Sequence, residues 1–301
     1  MTRDGLRCKL PSEGSRISLR AETAWSSAMK SLLFNAHQDP GHSRRLDVVL
    51  DLARAFDSHL TLLTAMPYEV AASNDPYGAA FAAMVPVWRE EVRKFREETE
   101  RDLANEDVPW DWVDKAGPVA LALLKRSSLA DLVVVGEREP RAGGEAPSFT
   151  AGELALTADC PVLVLPDECT RMDLEKPALV AWDGSAEASH ALRAALPFLK
   201  RASTVYLATV QTKKGGSKDK FDLPPIRGAD YLSHHRISSE MVELEQSENG
   251  TAQAIRNAAD VRGVGLIVMG AYGRTRLSEW VFGGVTRAML SDVRVPLLLK
   301  H

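Results

Sequence analysis

Short apolar runs alternate with amphipathic segments of helical period along this chain, and the whole alternation occurs twice. The first round opens with the apolar run at residues 31–36 and the turn-like HQDPGHS. Leu46, Val49, Leu50 and Ala53 then recur at the three- and four-residue spacing of one buried helical face, and HLTLLTAM at 59–66 reads as a strand. Strand, helix, strand in that order predicts a parallel pair with a right-handed crossover. Residues 67–86 read as loop with an Ala-heavy centre, after which Trp88, Val92 and Phe95 mark an amphipathic helix. Its Glu90, Arg93, Lys94, Glu97 and Glu98 form a solvated face. A short alternating strand at 110–113, a helix at 118–127 and an apolar strand at 131–135 ending in Gly136 come next. EREPRAGGEAPSFTAG reads as irregular, 153–158 as a helix, and CPVLVLP closes the round.

The second round begins with PALVAWDGS, a strand running into a helix start. A helix at 188–199 carries Leu192, Ala195, Leu196 and Leu199 on its buried side, and STVYLATV is the next strand. Residues 213–222 are a Gly/Lys/Ser/Asp stretch expected to be a mobile loop. A helical piece near 230–235, a strand around 239–245, a helix at 251–262 and a strand at 266–269 lead to Gly270. Gly283-Gly284 opens a last helix with Val285, Ala288 and Met289 at helical spacing, before the apolar run at 295–299. DLVVVGE matches GLIVMGA, and CPVLVLP matches VPLLLK. The expected fold is therefore α/β: two tandem doubly wound five-stranded parallel sheets, residues 29–166 and 177–301, joined by a linker at 167–176. Residues 1–28 read as a disordered tail, and because Met29 directly precedes the first strand-like run it is expected to be the true start.

Composition removes several classes of function. A net charge of −4 with 45% hydrophobic residues, and no basic stripe, argues against a nucleic-acid partner. No apolar run approaches the roughly eighteen residues of a membrane span. Cys8, Cys160 and Cys169 have no metal-ligand spacing and read as thiols of a reducing compartment, which points to the cytoplasm. His234-His235 beside Arg236 lack partnering ligands and read as surface residues, and KKGGSKDK lacks the order of a phosphate loop. No nucleophile elbow, HExxH motif or general base can be picked out, so binding rather than catalysis is expected.

Candidate chemistry lies in the glycines Gly270, Gly273 and Gly283. Glycine at the carboxyl end of a parallel strand lets the backbone approach a ligand, and a glycine pair at a helix start leaves amide N–H groups bare for phosphate oxygens. In such sheets ligands sit where the strand order reverses, which sets Asp183 beside this loop. Asp183 can cap the following helix with Ser185, or accept from an exocyclic amine or ribose hydroxyl.

The spacing Gly-x2-Gly-x9-Gly resembles the ATP-binding signature of the universal stress protein family, and VMGAYGRTRLSEWVFGGVTRAMLSDVRVPLLL is similar to that family's last strand, loop, helix and strand. The resemblance extends from Met29 onward and implies a tandem, Rossmann-like member of the family, of the adenine nucleotide alpha hydrolase-like type. It implies an ATP site, with Mg2+, lined by Ala181, Trp182, Asp183, Val210, Met269, Gly270, Tyr272, Gly273, Gly283, Gly284, Val285 and Thr286. Gly284 stands where ATP-binding members carry Ser or Thr, so weakened rather than abolished phosphate binding is expected. Trp182 is bulkier than usual there, and either stacks on a base or fills part of the pocket.

In the first round Glu137, Arg138 and Glu139 follow Gly136, and carboxylates repel phosphate. Gly152 is the nearest stand-in for the third glycine, and His37 and Gln38 replace Asp183, with Asp39 reached only by a shift. That half is expected to bind no ATP and to pair with its twin through the last strands, 162–165 against 295–299, as the resemblance implies. The resulting expectation is a nucleotide-responsive stress regulator, monomeric or homodimeric. A nucleotide-free scaffold and a slow ATPase are the other readings.

Overall fold

In the computed structural model, residues 29–66, 76–141, 144–211, 224–271 and 284–301 are described. Cys8, the 1–28 tail, residues 67–75, the whole 213–222 loop, and Tyr272, Gly273 and Gly283 lie outside them. The first half comprises β1 (Ser31–Asn35), α1 (His42–Phe56), β2 (His59–Met66), α2 (Pro76–Leu103), β3 (Trp110–Ala116), α3 (Val119–Ser127) and β4 (Leu132–Gly136). It continues through β5 (Arg138–Arg141), β6 (Gly144–Pro147), α4 (Phe149–Thr157) and β7 (Val162–Leu165). The second half runs β8 (Ala178–Ala181), α5 (Ala186–Ala194), α6 (Leu196–Leu199), β9 (Val205–Gln211), α7 (Pro224–His234) and β10 (Ser239–Glu245). It ends with α8 (Thr251–Val261), β11 (Leu266–Gly270), α9 (Gly284–Leu290) and β12 (Leu297–Lys300).

Ten strands form one sheet in the order β10-β9-β8-β11-β12-β7-β4-β1-β2-β3. Each half contributes five parallel strands in the same relative order, and the halves meet at the antiparallel pair β12–β7, where Leu298 stands opposite Leu163. The central strands are apolar at successive positions because both faces are covered. Leu32 and Phe34 pack on the side of α1, α2, α5, α6 and α7, whereas Leu33, Val133 and Ile267 pack under α3, α4, α8 and α9.

Several expectations are corrected. Residues 67–86 are not all loop: α2 starts at Pro76 and passes through Pro86. Alanine is the best helix former and proline fits a first helical position, so the Ala-heavy stretch extends the helix marked by Trp88. The irregular stretch after Gly136 holds the antiparallel hairpin β5–β6, with Arg138 opposite Pro147, and α4 starts at Phe149 rather than at 153. Ser148 caps it, its hydroxyl accepting from the Ala151 amide. The helix expected over 188–199 breaks at Ala195 into α5 and α6, where Pro197 lacks the N–H that a continuous helix needs. The 167–176 stretch is anchored at both ends: the Asp167 amide donates to Glu137 Oε1 at 3.0 Å, and the Ser203 amide to the Glu175 carbonyl at 2.9 Å.

Candidate functional site

The carboxyl ends of β8, β9 and β11 converge in the second half. Met269 pairs with Ala181, and Ala181 with Ala208, two residues before Val210. Ala181, Val210 and Met269 belong to one apolar cluster with Val285 of α9, on the α8–α9 side of the sheet. Thr286 is buried beside them in sequence, and Gly284 is exposed at the start of α9. No described atom lies within 4 Å of where a Gly284 Cβ would stand.

Gly270 is glycine for a steric reason. A Cβ there would fall 2.6 Å from both the Ala188 amide nitrogen and the Glu187 carbonyl carbon, so only a bare backbone lets the first turn of α5 sit against the end of β11. That turn is prepared by Asp183, Gly184 and Ser185. Gly184 has φ 76°, a left-handed conformation that suits glycine. The Ser185 amide donates to Asp183 Oδ1 at 2.9 Å, and the Ala188 amide to the Ser185 hydroxyl at 3.1 Å. Ser185 is thus the cap, while Asp183 holds the turn before it with one oxygen and is exposed to solvent. Trp182 takes no place in the Val210–Met269 group. Its ring lies on the opposite face, 3.0 Å from where a Gly228 Cβ of α7 would stand, and is 6% exposed. It is core under α7, neither a base-stacking face nor a plug among those residues.

Sheet register defines the counterparts in the first half. Val134 and Val268 flank the paired Leu163 and Leu298, and Phe34 and Val180 flank them in turn, so Gly136 corresponds to Gly270 and His37 to Asp183. The role of Asp183 has moved two residues, to Asp39, whose Oδ1 accepts from the Gly41 amide at 2.8 Å. The other Asp39 oxygen accepts from Arg45, whose second guanidinium nitrogen reaches Asp167 Oδ1 at 3.2 Å. Arg45 is 2% exposed, and its guanidinium lies 3.0–3.1 Å from where a Gly136 Cβ would stand. The space above this strand end is therefore filled by the protein's own cation. At the start of α4 a carboxylate plays the matching part: Glu139 Oε1 accepts from the Ser148 hydroxyl at 2.6 Å and the Thr150 amide at 2.8 Å.

Burial would raise the Asp39 pKa, but the nearby His37, 3.6 Å away, the Arg45 hydrogen bond and charge, and the Gly41 amide more than offset this and hold it well below the ordinary carboxylate range. Burial, with the nearby Asp167 charge, pushes Glu137 up. His42, packed between Phe34 and Phe95, is lowered to about 4 by burial and by Arg45. Among the described residues no cluster of His, Cys, Asp and Glu could hold a metal, and no helix is long and apolar enough to cross a membrane.

Residues 175–301 match the family model described as the universal stress protein family. They form a universal stress protein domain. Among solved structures the whole chain is similar to a universal stress protein from Archaeoglobus fulgidus, at TM-score 0.70 and 14% identity, covering 91% of this chain and 97% of that one. A putative universal stress protein from Pseudomonas aeruginosa matches at TM-score 0.53 and 16% identity, covering 91% and 94%. A functionally unknown protein from Pseudomonas aeruginosa matches at TM-score 0.54 and 17% identity, covering 91% and 93%. At these identities the likeness is one of fold, and it spans both halves. No curated protein matches in sequence.

Of the residues that the resemblance assigns to the site, the universal stress protein domain pairs Met269 with Ala181, places Val210 and Val285 on the same α8–α9 side of the sheet, and sets Asp183 and Gly270 around the α5 start. Arg45 and Asp167 were not singled out in the sequence, and Glu139 was read there only as a carboxylate that repels phosphate. Arg45 left a signal, since it stands four residues before Val49 on the apolar face of α1, where a buried cation demands a partner. The contact of Glu139 with the start of α4 left none, because it depends on the hairpin turning back.

Proposed function

We propose that this chain is a cytoplasmic universal stress protein that binds ATP, with Mg2+, in its second half and acts as a nucleotide-responsive regulator, while the first half is a structural partner. The observation that carries this reading is the asymmetry between two equivalent strand ends. In the first, Arg45 covers Gly136 and Glu139 occupies the donors at the start of α4. In the second, no described atom lies within 4 Å of where a Gly284 Cβ would stand at the start of α9, and Asp183 gives one carboxylate oxygen to its turn while its side chain is exposed. That arrangement fits a nucleotide: amide donors for phosphate at α9, an apolar wall of Val210 and Met269, and a carboxylate to accept from a hydroxyl or exocyclic amine. Trp182, buried on the other face, does not block it. The role assigned is binding, with no residue given a catalytic step.

Isothermal titration with ATP and magnesium tests this. One ATP per chain at micromolar affinity supports the reading; two would overturn the assignment of the first half, and silence up to millimolar ATP would favour a nucleotide-free scaffold. Gly284→Ser supplies the missing hydroxyl where no described atom lies within 4 Å, and one added hydrogen bond of about 1 kcal/mol should tighten ATP about fivefold.

A further inference from the structure

A groove far from the proposed ATP site lies where the edge strand β3 ends and α3 begins. Its cavity of about 290 Å³ is lined by Lys115, Lys125 and Arg126 and floored by apolar groups that include Pro118, Leu121 and Ala122. Among the described residues no carboxylate lines it, in a protein whose net charge is −4. Elsewhere in the first half Arg45, Arg54, Arg93 and Arg96 each hold two or more carboxylates. Lys115 and Lys125 form no ion pair among the described residues, and Arg126 has only a long contact to Asp111 at 3.7 Å. Leu121 is 46% exposed on the groove wall, so apolar surface and unneutralised charge stand side by side. A low-dielectric wall beneath converging like charges raises the local attraction for an anion.

We propose that this groove binds a small organic phosphomonoester, the phosphate meeting Lys115, Lys125 and Arg126 and a compact apolar body resting on Pro118, Leu121 and Ala122. Three cations match a dianion better than a single carboxylate, and the volume sits at the lower end of small-ligand pockets, roughly 300–1,000 Å³. The location is the carboxyl end of the edge strand β3, away from the point where the strand order reverses.

Amide NMR spectra of the full chain titrated with phenyl phosphate, in the presence of saturating ATP, test the proposal. Saturable shifts are expected at residues 117–122, with phenyl phosphate binding about tenfold more tightly than inorganic phosphate, benzoate or benzyl alcohol. Lys115→Glu or Lys125→Glu, both on exposed side chains, should weaken it at least tenfold, whereas Lys94→Glu, a charge reversal away from the groove, should not. Equal binding of phenyl phosphate and inorganic phosphate, equal loss in all three variants, or tight benzyl alcohol binding would overturn it. Because the shifts are read at α3, the outcome is independent of whether ATP binds near α9.

Discussion

Replacing Arg45 by methionine tests most directly how the first half is held together. The guanidinium is almost wholly buried and bridges Asp39 and Asp167, whose side chains are 11% and 20% exposed, with half-buried Glu137 next to Asp167. Removing the cation leaves these carboxylates facing one another in low dielectric. Breaking a buried pair from one side costs about 3–5 kcal/mol, a large part of a stability of about 5–15 kcal/mol. The pH dependence follows from the Asp39 shift. In the native protein its pKa is depressed, so its contribution is present above the unfolded value of about 3.9 and is lost as pH falls toward its folded value. In Arg45→Met the burial that opposes ionisation is no longer offset, the folded pKa rises, and protonation relieves the variant as pH falls. Urea unfolding followed by circular dichroism at pH 7 and pH 4.5 should therefore show a gap between native protein and variant that is widest at pH 7. Adding Asp39→Asn to Arg45→Met should recover part of the loss, because the pair is coupled. A loss under about 1 kcal/mol at pH 7, or a gap unchanged by pH, would refute the argument.

Two further outcomes are expected. Gly270→Ala sets a methyl group 2.6 Å from α5 backbone atoms, which cannot rotate aside; it should cost about 1–3 kcal/mol in thermal unfolding and, by pushing the Asp183 turn outward, weaken ATP in calorimetry. His42 has its folded pKa lowered to about 4, so its neutral ring contributes stability fully above pH 6.5, and that contribution is lost as pH falls toward 4. The difference amounts to about 3 kcal/mol at most. His42→Leu should flatten the stability profile across that window, and an unchanged slope would assign it to another group.

Much of the architecture was legible because hydrophobic period is a local property. The five-strand alternation in each half, the repeat, and the last-strand segments were all visible as runs of apolar residues whose spacing matches strand or helix geometry. Boundaries failed where a local signal competes with another: alanines between prolines read as loop but form the start of α2, and a Gly-Pro-rich stretch read as irregular but folds back as β5–β6. The glycine positions of the second half were likewise visible as residue types, although the reason for Gly270, a helix backbone resting on it, belongs to the packed state.

Sequence alone determined the two-fold α/β plan and the presence of the glycine pattern in the second half, since both follow from the order of residue types along the chain. Only the tertiary structure decided that Trp182 faces α7, that Asp39 has taken over the turn of Asp183, and that Arg45 and Glu139 fill the first half's strand end. These depend on which way a side chain points once distant segments meet, and no spacing along the chain encodes a contact such as that of Arg45 with Asp167, 122 residues away.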